Sequence, residues 1–410
     1  MLSSLFPRAH ARYTALRLLG EFLEGLCVWL HSKGYPEDGI RRRMEVARLL
    51  EAVLRRRRVH SIRELTADGL RACARHRRFR APVVRSLARS LAQYLEERGE
   101  LAQPPSTPTT CRVAEYRRHL EHVRGLAPAS VTTYTAMVTA FLESIDYDAR
   151  PARLRALCAA DVEAFLAQTG RRVQRTTLRQ VAETLRAYLR FLASSGDVPA
   201  GIDAHVESPR VFRSERLPRA LPWETVQALL RSIDRSTPKG RRDYAMLLLV
   251  ATYGLRVGEV AGLLLDDVAW RRREMRVRRP KVGTPLLLPL TDEVATALLS
   301  YLRYGRPIST DRHLFLRVEA PRGPLQGGAV TGAFHVWARR AEIRLPTRSG
   351  PHCLRHALAT HLLRQGAGLK TIGDLLGHRL TETTAVYLRL DIEDLREVAL
   401  LLPATAEVRR

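Results

Sequence analysis

The sequence predicts a mainly α-helical protein with one small β-hairpin in its C-terminal part, built as helical blocks in series. Three observations predict it. Apolar residues recur at three- and four-residue spacings through most of the 410 positions, the period of a single helix face. Two proline-rich stretches, residues 101–110 and 207–222, break that period and read as linkers. Two short segments, Glu274–Arg278 and Leu286–Pro289, bracket Lys281-Val-Gly-Thr284 and read as a hairpin.

Composition narrows the partner before any motif is considered. Hydrophobic residues make up 45% of the chain, enough for sizeable cores, and the net charge is +26. A surplus that large calls for an anionic partner, with nucleic acid first. A membrane is the rival, but no apolar run approaches the ~18 residues needed to span a bilayer. Met1–Arg8 is too short and too weakly apolar for a signal peptide. The five cysteines (Cys27, Cys73, Cys111, Cys158, Cys353) are scattered and never form C-x-x-C. They argue against a disulfide framework and a zinc site, and they fit a cytoplasmic location. Lysine survives only at Lys33, Lys239, Lys281 and Lys370. In a chain that otherwise uses arginine, a retained lysine marks a place where a proton that can be released is useful.

Taken in order, residues 1–103 form a first helical domain. Its apolar stripes are Phe22, Leu26, Trp29 and Leu30; Ile40, Ala47, Leu50 and Leu54; and Leu87, Leu91, Tyr94 and Leu95. Arginine runs at 55–58 and 75–80 read either as solvated helix ends or as phosphate contacts. Residues 111–206 form a second helical domain. Pro128 and Ser130 open a helix, and Arg175 to Leu192 makes a long one closed by Gly196. The two domains read as copies. Gly34–Ile40 matches Gly125–Val131, Leu65–Leu70 matches Leu157–Val162, and Leu91–Leu95 matches Leu185–Leu189, in the same order. After the basic linker 207–222, a third domain spans 223–410. It has helices from about Trp223 and Arg241, a stop at Gly254, the hairpin, and helices from Asp292 to Leu402 with brief interruptions. The tail 391–402 has an apolar face on Leu395, Val398, Leu401 and Leu402.

The chemistry concentrates in a few short motifs. Gly254-Leu-Arg256-Val-Gly-Glu259 is followed by Lys281 in the hairpin. Then come His352-Cys-Leu-Arg355, Leu376-Gly-His378 and, nine residues later, Tyr387. This series resembles the signature of the tyrosine recombinases, the phage-integrase family, over roughly residues 110–395. Where that family's hairpin turn reads Gly-Lys-Gly, this chain has Pro280-Lys281-Val282.

The resemblance implies a helical SAM-like core-binding domain at 111–206 and a catalytic domain at 223–410. It also implies six catalytic residues. Arg256 and Arg355 would grip the phosphate, Tyr387 would be the nucleophile, and His352 a general base. His378 would donate to the phosphate or position the tyrosine, and Lys281 would protonate the leaving oxygen. Guanidinium suits the first role because it stays charged and binds oxyanions in a fork. A phenol of pKa ~10 needs cations or a base beside it to attack near neutrality. Glu259 is expected to orient Arg256, and His356 and His361 to pack.

No carboxylate cluster that could hold catalytic metals is visible, Asp266-Asp267 being the nearest. The reading therefore needs neither metal nor other cofactor. The implied function is site-specific recombination of double-stranded DNA through a 3′-phosphotyrosine, by a tetramer on two DNA sites. The extra N-terminal domain favours a mobile-element integrase or transposase, with or without partner recombinases. A type IB topoisomerase-like enzyme and a catalytically silent DNA-binding protein are the alternatives left open.

Overall fold

The computed structural model describes residues 1–74, 82–211, 220–279, 285–347 and 349–377. The expectations for Lys281, His378, Tyr387, the arginine run 75–80, half of the second linker (212–219) and the tail 391–402 lie outside the described residues. The chain divides into two compact units, Met1–Ala102 with Leu217–Arg410, and Gln103–Arg216. Three main hydrophobic cores lie along it, drawn from residues 2–101, 116–206 and 221–357.

The first core is wrapped by α1 (Leu2–Leu5), α2 (His10–Thr14), α3 (Gly20–Ser32), α4 (Glu37–Glu45), α5 (Ala47–Arg56), α6 (Ala67–Cys73) and α7 (Pro82–Glu97). The stripe from Ile40 to Leu54 is divided between α4 and α5 at Val46, yet Ile40, Ala47, Leu50 and Leu54 are all fully buried. Glu51 is buried beside them because it accepts hydrogen bonds from the N–H groups of Leu18 and Leu19 at 3.1–3.2 Å. Those two amides lie at the start of α3, where backbone donors lack helical partners.

The second unit holds α8 (Pro108–Arg118), α9 (Pro128–Ser144), α10 (Ala159–Gly170) and α11 (Arg175–Ser194). Here the first linker is shorter than its prolines suggest. Thr107 caps α8, and Pro108 is its first residue. Proline is excluded from helix interiors but is pre-shaped for this position.

In the third block, α12 (Trp223–Arg231) leads to α13 (Pro238–Tyr253), which is buried on nearly every face. Its two buried charges neutralise each other. Asp243 pairs with Arg242 at 2.8 Å and accepts from Trp337 Nε1 at 3.0 Å. Gly254 ends α13 in the left-handed region (φ +62°), and α14 (Val257–Ala261) follows.

The hairpin strands β2 (Glu274–Val277) and β3 (Leu286–Pro289) pair antiparallel with Met275 opposite Leu288. A third strand, β1 (Val268–Ala269), pairs with β2, making a three-stranded sheet. After α15 (Asp292–Tyr304) the expected run of helices fails over residues 305–326. Pro307, Pro321 and Pro324 fall there, and the Arg306 guanidinium donates instead to the carbonyls of Asp311, His313 and Leu314. Helices α16 (Gly327–Arg340), α17 (His352–Arg364) and α18 (Leu369–Leu376) complete the described part.

Candidate active site

The site begins where the α13 core helix stops. A Cβ at Gly254 would lie 2.5 Å from Leu376 Cδ2 and 3.5 Å from Arg355 Cγ. Glycine thus supplies both the left-handed turn and the close approach of two other elements. Two residues on, Arg256 is the N-cap of α14. Glu259 accepts from the Arg256 backbone N–H at 2.8 Å and from its Nη1, also at 2.8 Å. The carboxylate thereby satisfies a helix-end donor and fixes the guanidinium in one act. Arg256 keeps 28% of its side chain exposed, whereas Glu259 keeps 6%.

Arg355 comes from the first turn of α17 and is buried. Its Nη1 donates to the Gly254 carbonyl and its Nη2 to the Leu376 carbonyl. The guanidinium plane is therefore set by the ends of two helices, α13 and α18. Gly377, the left-handed C-cap of α18 (φ +65°), lies next along the chain.

Phage-integrase family models match this chain twice. The catalytic-domain model matches residues 219–393, and the N-terminal SAM-like model matches residues 113–196. The integrase/recombinase y4rA of Sinorhizobium fredii is 37% identical over 296 residues, covering 72% of this chain and 71% of its own. Tyrosine recombinase XerC of Roseiflexus castenholzii is 32% identical, covering 69% and 90% respectively. This chain belongs to the phage-integrase family of tyrosine recombinases.

Solved structures agree on the fold. A lambda integrase dimer bound to a COC′ core site aligns with a TM-score of 0.55 at 17% identity, covering 80% of this chain and 92% of that one. XerH bound to a palindromic difH substrate gives 0.54 at 18% identity, covering 70% and 83%. By its family, the recombinase is an enzyme of the DNA cleaving and rejoining class.

His352 opens α17 and is exposed, while Arg355, three residues on, is buried. The two share a helix turn, as their spacing requires, but not an environment. His361 stacks on Trp223 at 4.3 Å with the rings 8° apart, joining α17 to α12. The two carboxylates of Asp266-Asp267 turn to different partners. Asp267 accepts the Leu264 N–H at 2.8 Å and pairs with Arg278, while Asp266 pairs with Arg312.

Sequence reasoning missed Arg279. This arginine follows β2 and is almost fully enclosed. Its Nη2 donates to the Leu375 carbonyl at 2.8 Å, and its Nε lies 3.8 Å from Glu259 Oε1. A Cβ at Gly377 would stand 2.1 Å from Arg279 Nη1, so any larger residue there would displace the guanidinium. Burial holds the Arg279 pKa below its usual value; the Glu259 charge opposes that shift and the Arg256 charge adds to it. Arginine is nonetheless a permanent cation. The signal for it was present. Met275 and Val277 face inward, and the two-residue strand period puts position 279 on the same side.

Proposed function

We propose that this recombinase acts at specific sites of a mobile element, cleaving duplex DNA with Tyr387 and rejoining it without metal or ATP. The arrangement that carries the reading is the pair Arg256 and Arg355, fixed by Glu259 and by the carbonyls of Gly254 and Leu376. The second of those carbonyls lies two residues before His378 and eleven before Tyr387.

In the proposed reaction, Arg256 and Arg355 hold the two non-bridging oxygens of the scissile phosphate, where negative charge accumulates in the transition state. The Tyr387 phenol oxygen bonds to phosphorus as its proton passes to His352. The bond from phosphorus to the 5′ oxygen breaks, and Lys281 delivers a proton to that oxygen. His378 donates a hydrogen bond to the phosphate. The product is a 3′-phosphotyrosine ester and a 5′-hydroxyl. A 5′-hydroxyl from a second duplex reverses the steps and releases Tyr387, so the bond energy is conserved throughout.

Exchange between two duplexes needs four strand cleavages, which suits a tetramer on two sites in the cytoplasm, with tail 391–402 as the element joining subunits. Similarity to proteins named integrase, and a fold shared with a Tn1549 transposon integrase at TM-score 0.52 and 17% identity, support the mobile-element assignment.

Mapping covalent protein–DNA adducts in genomic DNA tests both chemistry and site. Tyr387→Phe should abolish the adducts and leave duplex binding intact; persistent adducts would overturn the assignment. Lys281→Ala should recover cleavage on a 5′-bridging phosphorothiolate, whose leaving group needs no proton. Failure to recover moves the acid role to another residue.

A further inference from the structure

We infer that residues 1–102 are a second copy of the core-binding fold and form a second clamp on the phosphate backbone of duplex DNA. The inference rests on the reading that the chain works on DNA, and it adds a surface outside the SAM-like match at 113–196.

The backbone carries the first half of the argument. Each copy starts with a helix, α3 or α8, and turns through a left-handed glycine, Gly34 (φ +82°) or Gly125 (φ +58°). Each continues into a helical stretch entered at a proline, Pro36 or Pro128. That stretch ends near a non-glycine residue in the left-handed region, Arg58 (φ +57°) or Asp146 (φ +55°). A 3₁₀ turn follows, Ile62–Glu64 or Pro151–Leu154, then a helix (α6 or α10) and a long one (α7 or α11). Each copy closes on a left-handed glycine, Gly99 or Gly196. Left-handed non-glycine residues are uncommon, so their recurrence at the same place in the order is specific.

Burial carries the second half. Ile40, Met44, Ala47, Leu50 and Leu54 are buried, and so is the residue 91 positions after each. In the last helix the constant offset is 94. Leu87, Ala88, Leu91 and Leu95 match Val181, Ala182, Leu185 and Leu189, with the buried pair Tyr94 and Tyr188 between them. Two helical bundles that merely resembled each other would not keep a fixed register along both helices.

The copies differ in surface charge. On α11, Arg179 is paired with Glu183 at 2.8 Å. The equivalent positions on α7 are Arg85 and Arg89, both exposed. Like charges at this i,i+4 spacing destabilise a helix, and an anion between them reverses the sign. Arg43 Nη2 reaches Ser86 Oγ at 3.0 Å, setting the arginines of α4 beside the start of α7. Among the described residues, Arg42, Arg48, Arg85 and Arg89 are exposed and make no ion pair. Exposed guanidinium groups without a carboxylate partner, on a DNA-binding fold, suit a phosphate backbone.

The test uses the full chain with Arg42, Arg48, Arg85 and Arg89 changed to alanine, titrated with a random-sequence duplex at stepped salt. Each phosphate contact contributes about 0.9 to the slope of log affinity against log salt, so the slope should fall by roughly 3 to 4. The same four positions changed to lysine should keep most of it. The nuclease-protected length should shorten in the alanine variant. Should that variant fold poorly by circular dichroism, Arg85→Gln with Arg89→Gln carries the test, with a fall of about 2. An unchanged slope and protected length, with Tyr387-dependent adducts still formed, overturns the second clamp; loss of assembly alone would then make the block a protein-docking module. Absence of adducts in the parent chain instead overturns the recombination chemistry.

Discussion

Glu259 stands between two arginines with opposite surroundings. Arg256 holds it at 2.8 Å and leaves more than a quarter of its own side chain exposed. Arg279 lies 3.8 Å away, with 3% of its side chain exposed and its Nη2 on the Leu375 carbonyl. Arg256 keeps an open face that a ligand can reach, whereas the enclosed Arg279 braces the fold. The same carboxylate thus holds the arginine proposed to bind phosphate on one side and is braced from the hairpin on the other. Residue type alone does not separate this pair; exposure does, although it is no rule for the whole site, where Arg355 is as enclosed as Arg279.

Substitution can break or sharpen that contrast. The largest effect should come from Arg279→Ala, which removes a buried cation and strands the Leu375 carbonyl. Breaking a buried pair costs about 3–5 kcal/mol, read as a lowered urea midpoint, and Arg279→Lys should restore part of it. A variant that unfolds normally but fails to cleave would move Arg279 into the chemistry. Next is Arg256→Ala, expected to slow single-turnover adduct formation by on the order of 10²–10³, as for loss of one oxyanion donor. Its unfolding midpoint should fall by less than that of Arg279→Ala, because Glu259 keeps the backbone N–H of residue 256 and the nearby Arg279 as partners; an equal stability loss would erase the distinction.

The smallest effect concerns the buried face of α17. Burial pushes the Cys353 thiol up to about 12. The thiolate fraction should therefore rise tenfold per pH unit through the alkaline range and be negligible near neutrality. Native alkylation followed by mass spectrometry should label the exposed Cys111 first. Rapid labelling of Cys353 at neutral pH would mean that α17, and with it Arg355, is loosely held.

Much of this was legible in the sequence because one physical signal dominated. Helix faces show as spacing, so α4–α5, α7, α9 and α11 follow from their apolar stripes, and Gly254 announces the end of α13. What stayed hidden depended on partners remote in sequence. β1 has two residues and exists through its pairing with β2. The irregular stretch 305–326 is organised by Arg306 bonding carbonyls five to eight residues ahead. Pro108 was read as a breaker when its position made it a starter. At the site, the motif named Arg256 and Arg355, but not that the carbonyls of Gly254 and Leu376, 122 residues apart, orient the latter, nor that Arg279 completes the setting.

The carbonyls of Leu375 and Leu376 are both gripped, one by Arg279 and one by Arg355. The chain therefore has a pinned point at the end of α18. Tyr387 lies eleven residues past that point, so its Cα travels at most about 36–40 Å from the anchor, however the intervening residues are arranged. In the proposed reaction, where the phenol can act is then a question of chain length from the anchor, separable from the arginines that fix that anchor. An extra residue inserted between Gly377 and Tyr387 would change the reach and leave those arginines untouched.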